Sequence, residues 1–251
     1  MEDKTIVLIT GANSGIGYAA SKIISSASSN YRILMAGRSL PKVEAAIKSL
    51  KSEANIKGEL TPLELDVTSE ASIAAAAKKV EREFGHVDVL INNAGVAQSS
   101  EPSYKAQINA ITETNITGPL LVCEQFMPLV LKSKNPYSIF VSSSLASLGL
   151  ATTPGSHYDS DMWQVYRMTK SALNMIAVTE QHKWASKGVK VFPMCPGLVR
   201  SNLRGTEEEN VSAGGRAGSA DVSGETMLSI IEGKRDADVG KFVHKDGVHA
   251  W

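Results

Sequence analysis

A chain of 251 residues can bury a substantial core without disulfide or metal support, and α/β folds of this length often stay undivided. Lys plus Arg number 26 and Asp plus Glu number 26, so no global field draws the chain to nucleic acid or to an acidic membrane surface. Its two cysteines, Cys123 and Cys195, stand far apart within apolar stretches and read as buried thiols of a reducing compartment, not as a bridged pair.

The opening "MEDKTIVLIT" sets acidic residues before a short apolar run and has no cleavage-site pattern, which argues against a secretory signal. "TIVLIT" predicts the first strand, which runs into "TGANSGIG" and then into a helical pattern. Glycines in such a turn let the backbone approach a pyrophosphate, and the helix N-terminus that follows favours the anion. The spacing is Gly-x-x-x-Gly-x-Gly, which departs from the general Gly-x-Gly-x-x-Gly fingerprint. "RILMAG" predicts the second strand and "TPLELDV" the third. Ser69 to Phe84 predicts a helix with an Ala-rich face, stopped by Gly85.

"VDVLINNAG" predicts the fourth strand, and its tail by itself is only a turn after a strand. The most apolar longer stretch, "GPLLVCEQFMPLVL", is interrupted by Glu124 and Gln125 and is too short to span a bilayer. "SIFVSSS", "VKVFPMCP" and "VGKFVH" complete about seven strands. Several are apolar on successive residues, as expected for parallel strands covered on both faces. Strand–helix alternation therefore predicts one α/β domain over 1–251, a doubly wound parallel sheet with helices on both faces. The Gly-, Ser- and Ala-rich stretch from Arg204 to Gly224 predicts either a mobile surface loop or a substrate lid.

Thr10-Gly11-x-x-x-Gly15-Ile16-Gly17, Asn92-Asn93-Ala94-Gly95, Asn115, Ser144, Tyr166-x-x-x-Lys170 and Pro196-Gly197 together resemble the motif set of the short-chain dehydrogenases/reductases. They occur in that family's order and span nearly the whole chain. The resemblance implies a single-domain Rossmann fold that moves hydride between a nicotinamide cofactor and a carbonyl or alcohol. It implies that the turn carrying Gly11, Asn13, Ser14, Gly15, Ile16 and Gly17 cradles the pyrophosphate. Asp66 and Val67 would contact the adenine, and Asn93, Ala94 and Gly95 would lie beside a ribose. Pro196, Gly197, Val199 and Ser201 would flank the nicotinamide, Ser201 standing where the family commonly has threonine. Ser144 would hydrogen-bond the substrate oxygen, with Ser143 the alternative, because a one-residue register error changes the face. Asn115 resembles the family's helix asparagine that holds a water linking the lysine to solvent; otherwise it is an ordinary interior polar residue.

Alone, a tyrosine and a lysine four residues apart on a helix are most simply neighbours on a solvated face. On the helix of "YRMTKSALNM", Tyr166 and Lys170 differ by about 40° in azimuth and ~6 Å in rise. Val165, Met168, Ala172, Met175 and Ile176 are expected to form the neighbouring packed face. A free phenol, with pKa ~10, is a poor general base near neutrality. An ammonium ~4 Å away supplies about 4 kcal/mol at an effective dielectric of 20, enough for a shift of about three pKa units before desolvation is counted. Tyr166 is thus the expected acid/base, and Lys170 its tuner and a ribose ligand. Tyr158 is a weaker candidate, since Met162 occupies its fourth position.

Gly37 ends the second strand where NAD-preferring members carry an acid, and Arg38 and Ser39 follow. A guanidinium and a hydroxyl suit a 2′-phosphate, so NADP(H) is the expected cofactor. The segment between Ser144 and Tyr166 is longer than the family's usual connection and adds His157, Tyr158 and Trp163 near the substrate side. The expected protein is a cytoplasmic, NADPH-dependent reductase of a ketone or aldehyde, with aromatic and apolar residues in the insert and lid pointing to a bulky, hydrophobic carbonyl. A catalytically silent NADP(H) sensor or scaffold, or a non-redox reaction on the same site, is the alternative. Homo-oligomer formation is left open.

Overall fold

In the computed structural model, which describes residues 4–251, the apolar runs become β1 (Thr5–Thr10), β2 (Tyr31–Gly37), β3 (Glu59–Glu64), β4 (Val89–Asn92), β5 (Tyr137–Val141), β6 (Lys190–Met194), β7 (Val243–His244) and β8 (Gly247–Val248). They form one sheet of order β3-β2-β1-β4-β5-β6-β7-β8, parallel except for the closing β7–β8 hairpin. The eighth strand was not expected, because two residues are too few to show a pattern. Glu2 and Asp3, part of the N-terminal reading, lie outside the described residues. Among those described, no helix is long and apolar enough to cross a membrane.

Successive side chains of β1 enter opposite layers. Ile6 and Leu8 join one core with Val80, Phe126 and Leu173, while Val7 and Ile9 join the other with Ile24, Val43 and Met227. The first layer is roofed by α3 (Glu70–Phe84), α5 (Gly118–Val130) and α7 (Gln164–Trp184). The second is roofed by α1 (Gly15–Ala27), α2 (Leu40–Glu53) and α9 (Asp221–Ile231). Ser69 caps α3 by accepting from Ser72 N, and Gly85 ends it in the left-handed conformation at φ 79°. Both cysteines are buried and unbridged. The chain leaves β1 in one direction and β4 in the other, so a crevice opens between their carboxyl ends.

Three shorter pieces complete the helices: α4 (Tyr104–Thr112), α6 (Leu148–Ala151) and α8 (Glu208–Val211). Helix α4 continues into α5 through a π-helical turn, Glu113–Thr117, which carries Asn115. Such widened turns recur at functional sites. The C-terminus returns over α6: Gly149 N donates to Trp251 O at 2.6 Å, and the Trp251 ring stacks on Phe242.

Two expectations change. The packed face of α7 is only partly the expected one: Ile176 is buried, but Met168 and Met175 are exposed, and the buried arc also holds Tyr166, Thr169, Lys170, Leu173 and Ala177. Polar residues of the site occupy the inward arc, which hid it from a hydrophobicity pattern. In the 204–224 stretch, Asp221–Gly224 form the first turn of α9 and pack on α1. A Cβ on Gly224 would stand 2.9 Å from Ile23 Cγ1 and 3.0 Å from Ala19 O. The irregular part therefore ends before α9.

Candidate active site

At the crevice, the glycine turn is clamped to the end of β4. Thr10 Oγ1 accepts from Asn93 N and Ala94 N, each at 3.0 Å, and Asn93 Nδ2 donates to Thr10 O (2.8 Å) and Gly11 O (3.2 Å). Asn93 thus spends its amide on the turn itself. Gly11 has φ 65°, and a Cβ there would lie 3.0 Å from Ala94 Cα; one on Gly17 would lie 2.6 Å from Gly11 O. These close approaches leave no space for larger residues. Ser14 stands at the N-cap of α1 without making a side-chain cap bond, and no acidic residue occupies the first turn. The first N–H groups of a 13-residue helix therefore face the crevice with their dipole unopposed. This cradle fits a pyrophosphate.

Farther along the edge, Gly37 lies against Asn13, whose Oδ1 would be 3.1 Å from an added Cβ. Arg38 is exposed beyond it, and Ser39 begins α2 with its hydroxyl making no cap bond. Asp66 Oδ1 accepts from Thr68 N (3.0 Å) and Thr68 Oγ1 (2.8 Å), which fixes the loop after β3. Val67 backs onto Gly118, where a Cβ would meet Val67 O at 2.9 Å.

Lys170, Asn115 and Gly95 meet on the inner side of α7. A Cβ on Gly95 would stand 3.2 Å from Asn115 Oδ1 and 3.3 Å from Lys170 Nζ. Asn115 pins the strand end: Oδ1 accepts from Val96 N (2.9 Å), while Nδ2 donates to Val96 O (2.8 Å) and Thr169 Oγ1 (3.0 Å). Lys170 Nζ donates to Val141 O at 2.8 Å and lies 5.8 Å from the Tyr166 ring centroid. Burial pushes the Lys170 ammonium down to about 8.

Tyr166 is buried, and desolvation lifts its phenol above the ordinary range; the Ser143 hydroxyl opposes the rise, Cys195 adds to it, and the Arg204 guanidinium opposes it. Burial acts against the Lys170 ammonium as it does against the Tyr166 phenolate. Both groups are desolvated, and the ammonium is engaged by Val141 O.

The three serines after β5 diverge. Ser142 is buried and donates to Lys170 O at 3.4 Å, Ser143 Oγ accepts from Leu145 N at 3.2 Å, and Ser144 sits against Cys195, its N–H donating to Sγ at 3.1 Å. Cys195 Sγ also accepts from Gly197 N at 3.4 Å, so this thiol fixes two turns of the site. Gly197 takes φ 80°, and Pro196 O accepts from Ser223 Oγ at 3.0 Å. Ser201 is buried beside Gly15, its Cβ 3.3 Å from where a glycine Cβ would be.

Arg204 closes this side. It donates from Nε to Asn210 O and from Nη2 to Val199 O and Val211 O, all at 2.9 Å. Arg200 and Glu208 form a two-point salt bridge across the same loop. Neither Cys195 nor Arg204 is expected in the site from the sequence. Cys195 directly precedes the Pro-Gly pair, a usable signal, whereas nothing local marks Arg204.

A family model described as short chain dehydrogenase matches residues 5–212. The chain is 39% identical over 208 residues to the short-chain dehydrogenase anuI of Penicillium roqueforti, covering 80% of this chain and 81% of that one. It is 32% identical to the short-chain dehydrogenase/reductase tropE of Talaromyces stipitatus, covering 98% and 97%. Among solved structures, an NADPH-bound carbonyl reductase from chicken fatty liver superposes with a TM-score of 0.79 at 26% identity, covering 100% of both chains. A 3-ketoacyl-(acyl-carrier-protein) reductase from Brucella melitensis, complexed with NADH, gives 0.78 at 19% identity over 97% of each, a likeness of fold.

Proposed function

The chain belongs to the short-chain dehydrogenase/reductase family, and from that membership we propose that it reduces a ketone or aldehyde with NADPH, using Tyr166 as the proton donor. The observation that carries the reading is the convergence of buried Tyr166 and Lys170 on the crevice beside the glycine turn. Carbonyl and NADPH plus one proton give alcohol and NADP+; the bound cofactor supplies the hydride. Tyr166 gives its hydroxyl proton to the substrate oxygen as that oxygen becomes an alkoxide. A phenol kept protonated by burial is suited to this direction. Lys170, whose Nζ would lie 3.3 Å from a Cβ on Gly95, holds ribose hydroxyls and supplies positive charge once the tyrosine has lost its proton. Arg38 and Ser39 receive a 2′-phosphate at an edge where Gly37 leaves no acid to repel it.

The family motif gives the substrate-oxygen hydrogen bond to Ser144, and Ser143, whose Oγ accepts from Leu145 N at 3.2 Å, is the neighbouring alternative. Single alanine variants separate them. Ser144→Ala should lower turnover by ~10² and Ser143→Ala by only a few-fold, the scale of one oriented polar group; the reverse outcome moves the role by one residue.

The reaction is tested by NADPH consumption against ketones, aldehydes and quinones, with the product identified. Turnover yielding the alcohol supports the proposal. Cofactor binding without turnover of any carbonyl would favour a silent dinucleotide-binding protein.

A further inference from the structure

Beside Tyr166 the surface opens into a cavity of about 380 Å³, toward the small end of ligand sites. Gln98 contributes from the stretch after β4, Tyr104, Gln107 and Ile111 from α4, and Trp163 from the end of the long segment before α7. Among the described residues, no charged side chain lines it.

Trp163 adopts φ 63° and ψ 32°, a left-handed conformation that is a true outlier for a bulky residue. Such backbone persists only where the surroundings impose it, and it concentrates at ligand sites. Here the surroundings are visible. Arg167 N donates to Trp163 O at 2.8 Å, and the Arg167 guanidinium donates to the carbonyls of Tyr158 (2.7 Å) and Ser160. The segment is thereby fastened to the helix that bears Tyr166. Tyr104 Oη donates to Gln164 Oε1 at 3.4 Å, joining the two walls.

We propose that this cavity seats the substrate and selects a neutral, planar aromatic carbonyl bearing hydroxyl or further carbonyl groups, with Trp163 as its aromatic wall. The inference rests on the carbonyl-reduction reading and adds the substrate class. Trp163 and Tyr104 offer the broad π surfaces that favour a planar ring. Gln98 and Gln107 both donate and accept, so they suit oxygen substituents of either kind. An anionic carrier group would find no cation among the described residues of these walls. A ring held here is adjacent to the Tyr166 wall, where the carbonyl must be protonated.

The test compares wild type, Trp163→Gly and Trp163→Phe with NADPH and two probes, a hydroxylated acetonaphthone and cyclohexanone. Glycine removes the ring while accepting the left-handed backbone, so folding is preserved; thermal unfolding checks this. The expected result is a rise in KM for the aromatic ketone of about tenfold in Trp163→Gly, little change for cyclohexanone, and recovery in Trp163→Phe. An unchanged aromatic KM, an equal loss for both ketones, or a wild-type preference for cyclohexanone would overturn the inference.

Quenching of tryptophan fluorescence by the acetonaphthone, compared between wild type and Trp163→Phe, reports binding apart from turnover. Binding with quenching lost in Trp163→Phe, but no reduction of any carbonyl, would reject the reaction and retain the cavity's ligand class. No Trp163-dependent quenching would reject the cavity assignment.

Discussion

A buried ammonium penalises the folded state, and Lys170 is buried with its Nζ on the Val141 carbonyl. Its folded pKa of about 8 lies below the unfolded value of about 10.4. The unfolded chain therefore binds more protons between those values, and stability rises with pH there. The destabilisation is full below about pH 8 and fades by about pH 10.4, a change of up to ~3 kcal/mol. Wild-type unfolding free energy, measured against Lys170→Met across that window, should rise accordingly. A flat difference would show that the ammonium is solvated. At the cofactor edge, Arg38→Ala should weaken NADPH about ten- to a hundred-fold and leave NADH nearly unchanged, the scale of one charge-assisted contact. Equal weakening of both cofactors in binding titrations would make Arg38 a surface charge only. Replacing Gly37 by Asp is a poorer test, because its Cβ would approach Val43 Cγ2 to 2.9 Å.

The loop between β6 and α9 is held as a unit by one side chain. Arg204 gathers the carbonyls of Val199, Asn210 and Val211, and Val199 is also bridged to Gly218. Arg204→Gln should therefore speed amide exchange across residues 199–218 while the sheet core exchanges as in wild type. Unchanged exchange in the loop would assign its order to other contacts. Cofactor plus a reducible carbonyl should slow exchange in the same stretch of wild type, if it closes over the crevice; no slowing would exclude a lid. The strands and the glycine turn were legible in sequence because their signals are local: apolar runs, and glycines that the backbone requires. The inward face of α7 was not, since its buried positions include Thr169, Lys170 and Asn174. Trp163 was visible as an aromatic near the site, but a left-handed tryptophan has no sequence signature. The division of roles among Ser142, Ser143 and Ser144 depends on how the chain turns after β5 ends at Val141. Arg204 acts on Tyr166 across 38 residues of sequence, a distance no local pattern reports.

Across the whole molecule, positive and negative charges cancel and the sequence pI is about 7.0. With no net repulsion between copies, solubility should pass through a minimum near neutral pH and rise on either side. Precipitation measured against pH at low salt checks this, and a monotonic curve would contradict it. The sheet topology then does the assembling: its direction reverses between β1 and β4, and the glycine turn, Asn115, Lys170 and Tyr166 all arrive at that opening from distant parts of the chain. The central claim is that Tyr166 delivers the proton there. It is tested most directly by measuring NADPH affinity and the single-turnover rate of carbonyl reduction in folded Tyr166→Phe beside wild type. The account predicts affinity within a few-fold and a rate lower by at least ~10², the scale of lost general acid catalysis. A rate near that of wild type would contradict it.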